Sequence, residues 1–141
     1  MPNALYNRDI LRLAAAIPHL GRLTAPQGSA ERRSPVCGSR VVVDVVLDGE
    51  RRVAALGQEG NACALGQASA ALMGANALGR NAVELARARD ELAAFLAGDR
   101  ADPGAWPGLE LFTRAQAFSA RHASILLPFQ AAADAAVAAE R

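Results

Sequence analysis

The spacing of apolar positions changes along the chain, and each change marks an element. Near the N-terminus, Tyr6, Ile10, Leu13 and Ile17 recur at helical intervals. They share one face of a helix predicted over residues 4–16, which Pro18 stops. Residues 17–28 are punctuated by Pro18, Gly21, Pro26 and Gly28 and read as a loop. The spacing then shortens to period two. Residues 30–34 are short and polar, as an edge strand is. Residues 40–47 carry the strongest strand signal. Val41, Val43, Val45 and Leu47 line one face; Val42, Asp44, Val46 and Asp48 line the other, where both aspartates are expected to face solvent. Asp48-Gly49 predicts a two-residue hairpin turn, after which residues 52–57 return as a third strand.

From Ala62 the period becomes helical again. Leu65, Ala68, Ser69, Leu72 and Met73 form one stripe, which Gly74 and Gly79 are expected to end or loosen. Asn81, with Glu84 three residues on, reads as the cap of a further helix bearing Leu85, Leu92, Phe95 and Leu96. Gly98 closes it. Residues 98–108 read as a loop that Trp106 pins to the core. Residues 109–118 read as a short helix. An alanine-rich helix follows from about Arg121, and Pro128 inside it is expected to kink it or delay its start. The sum is an α+β fold: a small three-stranded antiparallel sheet with one apolar face, covered by helices.

Composition adds bounds. At 141 residues, with 52% hydrophobic and 21% charged positions, the chain reads as one soluble domain over residues 1–141. A net charge of +1 gives no basic surplus for nucleic acid or an anionic membrane. No apolar run is long enough to span a bilayer. The N-terminus lacks the pattern of a signal peptide, so a cytoplasmic location is the default expectation. Cysteines stay reduced there. All 15 basic side chains are arginine. Without lysine there is no Schiff base to pyridoxal phosphate and no phosphate-loop lysine.

The candidate chemistry lies in the two cysteines. Cys37 sits in a Gly-containing turn, Ser34-Pro35-Val36-Cys37-Gly38-Ser39-Arg40, just before the strongest strand. Cys63 begins a helix, where unpaired N–H groups and the helix dipole favour a thiolate. The hairpin between them is expected to bring both thiols to one metal or cluster site. The plainer alternative is that each is a small buried hydrophobe. His122, near the last helix, offers an imidazole that suits zinc or iron, or else serves as a helix-start histidine. His19 reads as a surface loop residue. Ser39 is a poor ligand.

Taken in order, these features resemble the iron–sulfur cluster assembly scaffold family of the IscU, SufU and NifU N-terminal type, a SufE/NifU-like fold. Leu5-Tyr6 through Arg22-Leu23 resembles its N-terminal helix and exit. Ser34-Pro35-Val36-Cys37-Gly38-Ser39-Arg40 resembles Asn-Pro-x-Cys-Gly-Asp-Arg. Residues 63–73 resemble the second-cysteine helix, and residues 118–126 the third-ligand segment. The resemblance implies a transient [2Fe–2S] cluster, iron or zinc held by thiolates. It implies Cys37 and Cys63 as ligands, with His122 as a third, and sulfur supplied by a cysteine desulfurase. It also implies delivery to apo iron–sulfur proteins by a carrier, not a turnover enzyme, with no nucleic acid or membrane partner. The family's aspartate is Ser39 here, and its third cysteine is replaced. One register puts Ala123 at that cysteine, the other Ser124. The Leu-Pro-Pro-Val-Lys signal of the IscU branch is absent, and residues 98–118 look more like the SufU branch. The other reading is a divergent member without a cluster, acting as a zinc-bound sulfur acceptor or as a module that docks on the desulfurase.

Overall fold

The computed structural model describes residues 7–35 and 38–141. Helix α1 (Arg8–Ala15) leads to strands β1 (Gly28–Arg33), β2 (Arg40–Leu47) and β3 (Val53–Asn61). Helices α2 (Ala64–Asn76) and α3 (Ala82–Leu96) follow. Then come two 3-10 segments, Leu109–Ala117 and Ser119–Arg121, and the long helix α4 (His122–Ala139). The strands form one antiparallel sheet in the order β1-β2-β3. The predicted α+β architecture is the one found.

Strand β2 is central, and its bounds match the alternation in the sequence. Val41, Val43 and Val45 are buried on the face that α4 covers, across both β1 and β2. Helix α4 can lie this close because its inner residues are small: Ala131, Ala132, Ala135 and Ala136 are all fully buried. The opposite face differs from the sequence expectation. Asp48 is exposed, but Asp44 is completely buried. The segment between α1 and β1 folds back over this face, and Arg22 and Leu23 reach the Asp44 carboxylate. A buried charge needs such partners, and alternation alone cannot reveal them.

The hairpin also departs from the two-residue turn. Residues 48–52 connect β2 to β3, and Arg51, not Gly49, has positive φ, at 63°. The cause is Asp48. Its carboxylate accepts the N–H groups of Glu50 (2.8 Å) and Arg52 (3.0 Å), and its carbonyl accepts that of Arg51 (3.0 Å). This side-chain scaffold favours a longer turn. Strand β3 then runs further than expected, to Asn61.

Helix α1 is capped by Asn7, whose carboxamide accepts the Ile10 N–H at 2.9 Å, so it starts later than predicted. Ile10 is fully buried; Tyr6 lies outside the described residues. Helix α2 is sandwiched between α1 and α4 and is apolar nearly all round. Gly74 does not end it. A Cβ there would lie 2.7 Å from Gln58 Nε2, which donates to the Pro18 and Ala70 carbonyls. Gly74 is thus a contact glycine inside the helix. Pro128 does not break α4 either: the helix runs through it, and no residue donates from position 128 to the Ser124 carbonyl.

Helix α3 opens with the predicted capping box. The Asn81 side chain accepts the Glu84 N–H at 2.8 Å, and Glu84 accepts the Asn81 N–H at 3.1 Å. That backbone bond and Arg52 hold the Glu84 carboxyl below its ordinary value, against a desolvation effect. Asn81→Ala removes one half of the box and is expected to cost about 1 kcal/mol, read as a lower urea midpoint at unchanged slope. Trp106 pins its loop as expected. Its Nε1–H donates to the Leu72 carbonyl at 2.9 Å, and its ring meets Phe129 edge-on at 5.3 Å.

Candidate metal or cluster site

The register of the sheet locates the site. Arg33 pairs with Arg40, and Arg40 with Asn61, so all three lie in one row. The loop leaving β1 and the segment leaving β3 therefore emerge at the same end of the sheet. The first turn of α4 arrives there too, because α2 and α4 pack together.

The β1–β2 loop is closed by its own backbone. Ser34 N–H donates to the Ser39 carbonyl at 2.8 Å, and Gly38 N–H to the Ser34 carbonyl at 3.1 Å. Gly38 takes φ +73°, a conformation costly for any other residue, as its place in the motif suggested. Cys37 lies outside the described residues, together with Val36. Ser39 is buried, and its Oγ lies 3.1 Å from Ser124 Oγ.

Cys63 is the N-cap of α2, with extended backbone and no side-chain cap. The change from strand to helical spacing at Ala62 had placed it there. Its side chain is half-buried, and its Sγ lies 3.3 Å from Ser124 Oγ. Ser124 is fully buried and so touches both Ser39 and Cys63. Gly66, one turn into α2, permits this. A Cβ there would lie 2.7 Å from Ser124 Oγ and 3.3 Å from its carbonyl oxygen. Of the two residues the resemblance offered for the third cysteine, Ser124 is the one against Cys63.

His122 is placed differently. It is the first residue of α4, and its Nε2 bonds the Ala115 carbonyl at 2.8 Å. It ties the 3-10 segment to the helix. Among the described residues, no group of three His, Cys, Asp or Glu side chains is placed to share an ion. The structure gathers Cys63 with two hydroxyls; His122 is held to Ala115.

A pocket of about 310 Å³ opens over Cys63, lined by Gly38, Ser39, Asn61, Ala62, Cys63 and Arg121. Asn61 and Arg121 were not singled out from the sequence, although Arg121 adjoins His122 and Asn61 lies two residues before Cys63. Among the described residues, no carboxylate lines this pocket. Helices α2 and α4 both begin beside it, and neither has an acidic residue in its first turn. Their positive ends, and Arg121 in the lining, favour negative charge here. Cys63 is the one soft metal ligand among the described residues that line the pocket.

No family model matches the chain, and no curated protein matches it. Solved structures do. One is the crystal structure of a nitrogen-fixing NifU-like protein (N-terminal) from Brucella abortus. It is 35% identical, with a TM-score of 0.91, over 98% of this chain and 96% of that one. Another is a putative iron–sulfur cluster assembly scaffold protein for the SUF system from Fervidobacterium islandicum AW-1. It is 20% identical, with a TM-score of 0.87, over 96% of this chain and 99% of that one. A third, described only as a hypothetical protein, is 22% identical with a TM-score of 0.83, over 96% and 98% of the two chains.

Proposed function

Since this chain belongs to the family of NifU-like N-terminal proteins, we propose that it is a scaffold or carrier in iron–sulfur cluster assembly. Its cargo, iron with sulfide as a [2Fe–2S] cluster, is held at Cys63 and Cys37. Sulfur comes from a cysteine desulfurase, and the cargo passes to apo iron–sulfur proteins. The observation that carries the reading is the setting of Cys63. Its sulfur stands at a helix N-cap, at the mouth of an open pocket, within 3.3 Å of a second donor atom. Such a sulfur can bind a soft ion and still be reached by a partner protein.

Sulfur arrives by exchange. The Cys63 thiolate attacks the outer sulfur of the desulfurase persulfide, and a new S–S bond forms. The old S–S bond breaks, and the desulfurase thiolate leaves with its electron pair. The exchange itself needs no oxidant or reductant; a separate two-electron reductant turns the carried sulfur into the sulfide of a cluster. The bonding of Ser39 to Ser124 favours a second reading, a member that carries no cluster and acts as a sulfur acceptor, with or without zinc, or as a module that docks on the desulfurase. Two hydroxyls joined to each other are weak ligands for either metal.

Anaerobic reconstitution with iron, cysteine and a desulfurase separates the two. The scaffold reading expects a visible charge-transfer absorption in the wild-type chain, reduced to background in Cys63→Ser. Stoichiometric zinc without that absorption, lost in Cys63→Ser, would falsify the scaffold reading in favour of the acceptor.

A further inference from the structure

We propose that the open edge of β3 beside Cys63 docks the protein that delivers sulfur. An extended segment of that partner adds to the sheet at Gly60 and seats one apolar side chain against Leu20. This rests on the reading above, in which Cys63 receives sulfur from a desulfurase. Strand β3 lies at one side of the sheet. Its Gln58 is paired on that side by the loop after α1. The Gln58 N–H donates to the His19 carbonyl at 3.0 Å, and the Gln58 carbonyl accepts the Gly21 N–H at 2.7 Å. Along an antiparallel strand every second residue turns its N–H and C=O to the same side. Gly60 therefore presents both groups at this edge too, but the loop pairs only with Gln58. Gly60 and Asn61 are exposed. Main-chain groups left open at a sheet edge fit an extended peptide. Gly60 stands three residues before Cys63, at most about 10 Å of chain, so a segment paired there lies beside the sulfur.

Leu20 and its surroundings select the side chain. Leu20 is 66% exposed and stands between two residues with left-handed backbone, His19 at φ 60° and Gly21 at φ 108°. That conformation is unfavourable for histidine, and the two bonds to Gln58 hold it. The turn thus keeps an apolar side chain in solvent at the rim of a hollow of about 60 Å³. The apolar lining of the hollow is Ile17, Leu20, Val41, Ala62, Gly66 and Ala70. Gly60 lines it as well, and Ala62 lines both this hollow and the pocket over Cys63. Open backbone edge, apolar hollow and reactive sulfur are therefore contiguous. Main-chain bonds at Gly60 supply affinity, and the hollow, sized for one small apolar side chain, supplies selection. The occupant these features describe is the persulfide-bearing segment of the desulfurase, extended and with an apolar residue near its cysteine.

The test uses the full chain with a cysteine desulfurase and L-cysteine, and follows persulfide on Cys63 by mass spectrometry of its peptide. Glutathione persulfide serves as a small donor that needs no docking: its outer sulfur passes to Cys63 and glutathione thiolate leaves. Leu20→Glu changes an exposed side chain, and circular dichroism confirms that the variant is folded. At limiting desulfurase, transfer to Leu20→Glu is expected to fall about tenfold, the scale of one lost interface anchor, with transfer from glutathione persulfide unchanged. A Cβ at Gly60 would collide with the Arg40 carbonyl, so that position is read by amide exchange instead of substitution. The desulfurase is expected to slow exchange over residues 58–62 about tenfold or more. Desulfurase transfer to Leu20→Glu at the wild-type rate, or exchange over 58–62 that the desulfurase leaves unchanged, each overturns the proposal. An equal fall with both donors places Leu20 in the chemistry of Cys63 and overturns it as well. So does protection of 58–62 in the free chain that grows with its concentration, which assigns the edge to a second copy. A wild-type Cys63 that takes no sulfur from the desulfurase fails the reading of the site itself, and the proposal with it.

Discussion

Asp44→Ala is expected to destabilise the chain by about 3 kcal/mol, the scale on which removing one buried, charged acceptor of several hydrogen bonds is felt. The Asp44 carboxylate is fully buried and satisfies four donors at once. Arg22 grips it with two bonds, Nε at 2.7 Å and a terminal nitrogen at 2.9 Å. The Leu23 N–H adds a bond at 3.0 Å and the Ser29 hydroxyl one at 2.6 Å. Alanine leaves all of these without their acceptor, and it unfastens the segment that covers the outer face of the sheet. For a chain of this size the loss corresponds to a melting temperature lower by roughly 10 °C.

The same carboxylate gives the stability a pH dependence of definite sign. Burial alone pushes its pKa up, and this is the largest single effect. The bonds from Arg22, Ser29 and Leu23 together outweigh it and hold the carboxyl below its ordinary value. A group whose pKa is lower folded than unfolded contributes fully above the unfolded value, about 3.9, and loses that contribution as pH falls through the folded one. Urea midpoints taken from about pH 7 down to about pH 3 are expected to fall more steeply for the wild type than for Asp44→Asn, which has no proton to exchange. Parallel curves would show that Asp44 is not the group responsible.

Gly28→Ala ranks second, at about 2–3 kcal/mol, the cost of overfilling a packed interface. Gly28 pairs with Val45 at the start of β1 and faces the last turns of α4. A Cβ there would collide with the Ala135 carbonyl and lie 2.5 Å from the Ala139 nitrogen. Both obstacles are backbone, so no rotamer relieves them, and α4 must shift away from the sheet. The Ala139 Cβ, at 2.8 Å, is only part of the conflict. The double variant Gly28→Ala, Ala139→Gly is therefore expected to remain destabilised. Full recovery in that variant, measured by urea unfolding, would place the conflict in the side chain instead.

How far the sequence discloses the fold depends on whether a signal is local. Strand β2 is legible because its run of valines, at 41–43 and 45–46, marks a strand over the residues found. The capping box of α3 is legible because its two partners are three residues apart. Asp44 is not legible, because its partner Arg22 is 22 residues away in a loop without periodicity. Gly74 reads in sequence as a residue that ends or loosens α2, because a glycine required by the crossing of Gln58 looks the same there as one that stops a helix. The site divides in the same way. Cys63 at a helix start follows from the change of period. The choice between Ala123 and Ser124 does not, since neighbours on a helix differ only by about 100° around its axis. Contact with Cys63 and Ser39 is what separates them.

Trp106 carries a practical consequence. It is the chain's one tryptophan, buried with its indole N–H on the Leu72 carbonyl and Arg80 5.0 Å above the ring. Its ring sits where the 98–108 loop, α2 and α4 meet. The protein thus contains its own fluorophore, sited to report whether those three pieces remain docked. Changes confined to the cysteine pocket should leave that light where it is, whereas lifting α4 from the sheet should shift it to the red.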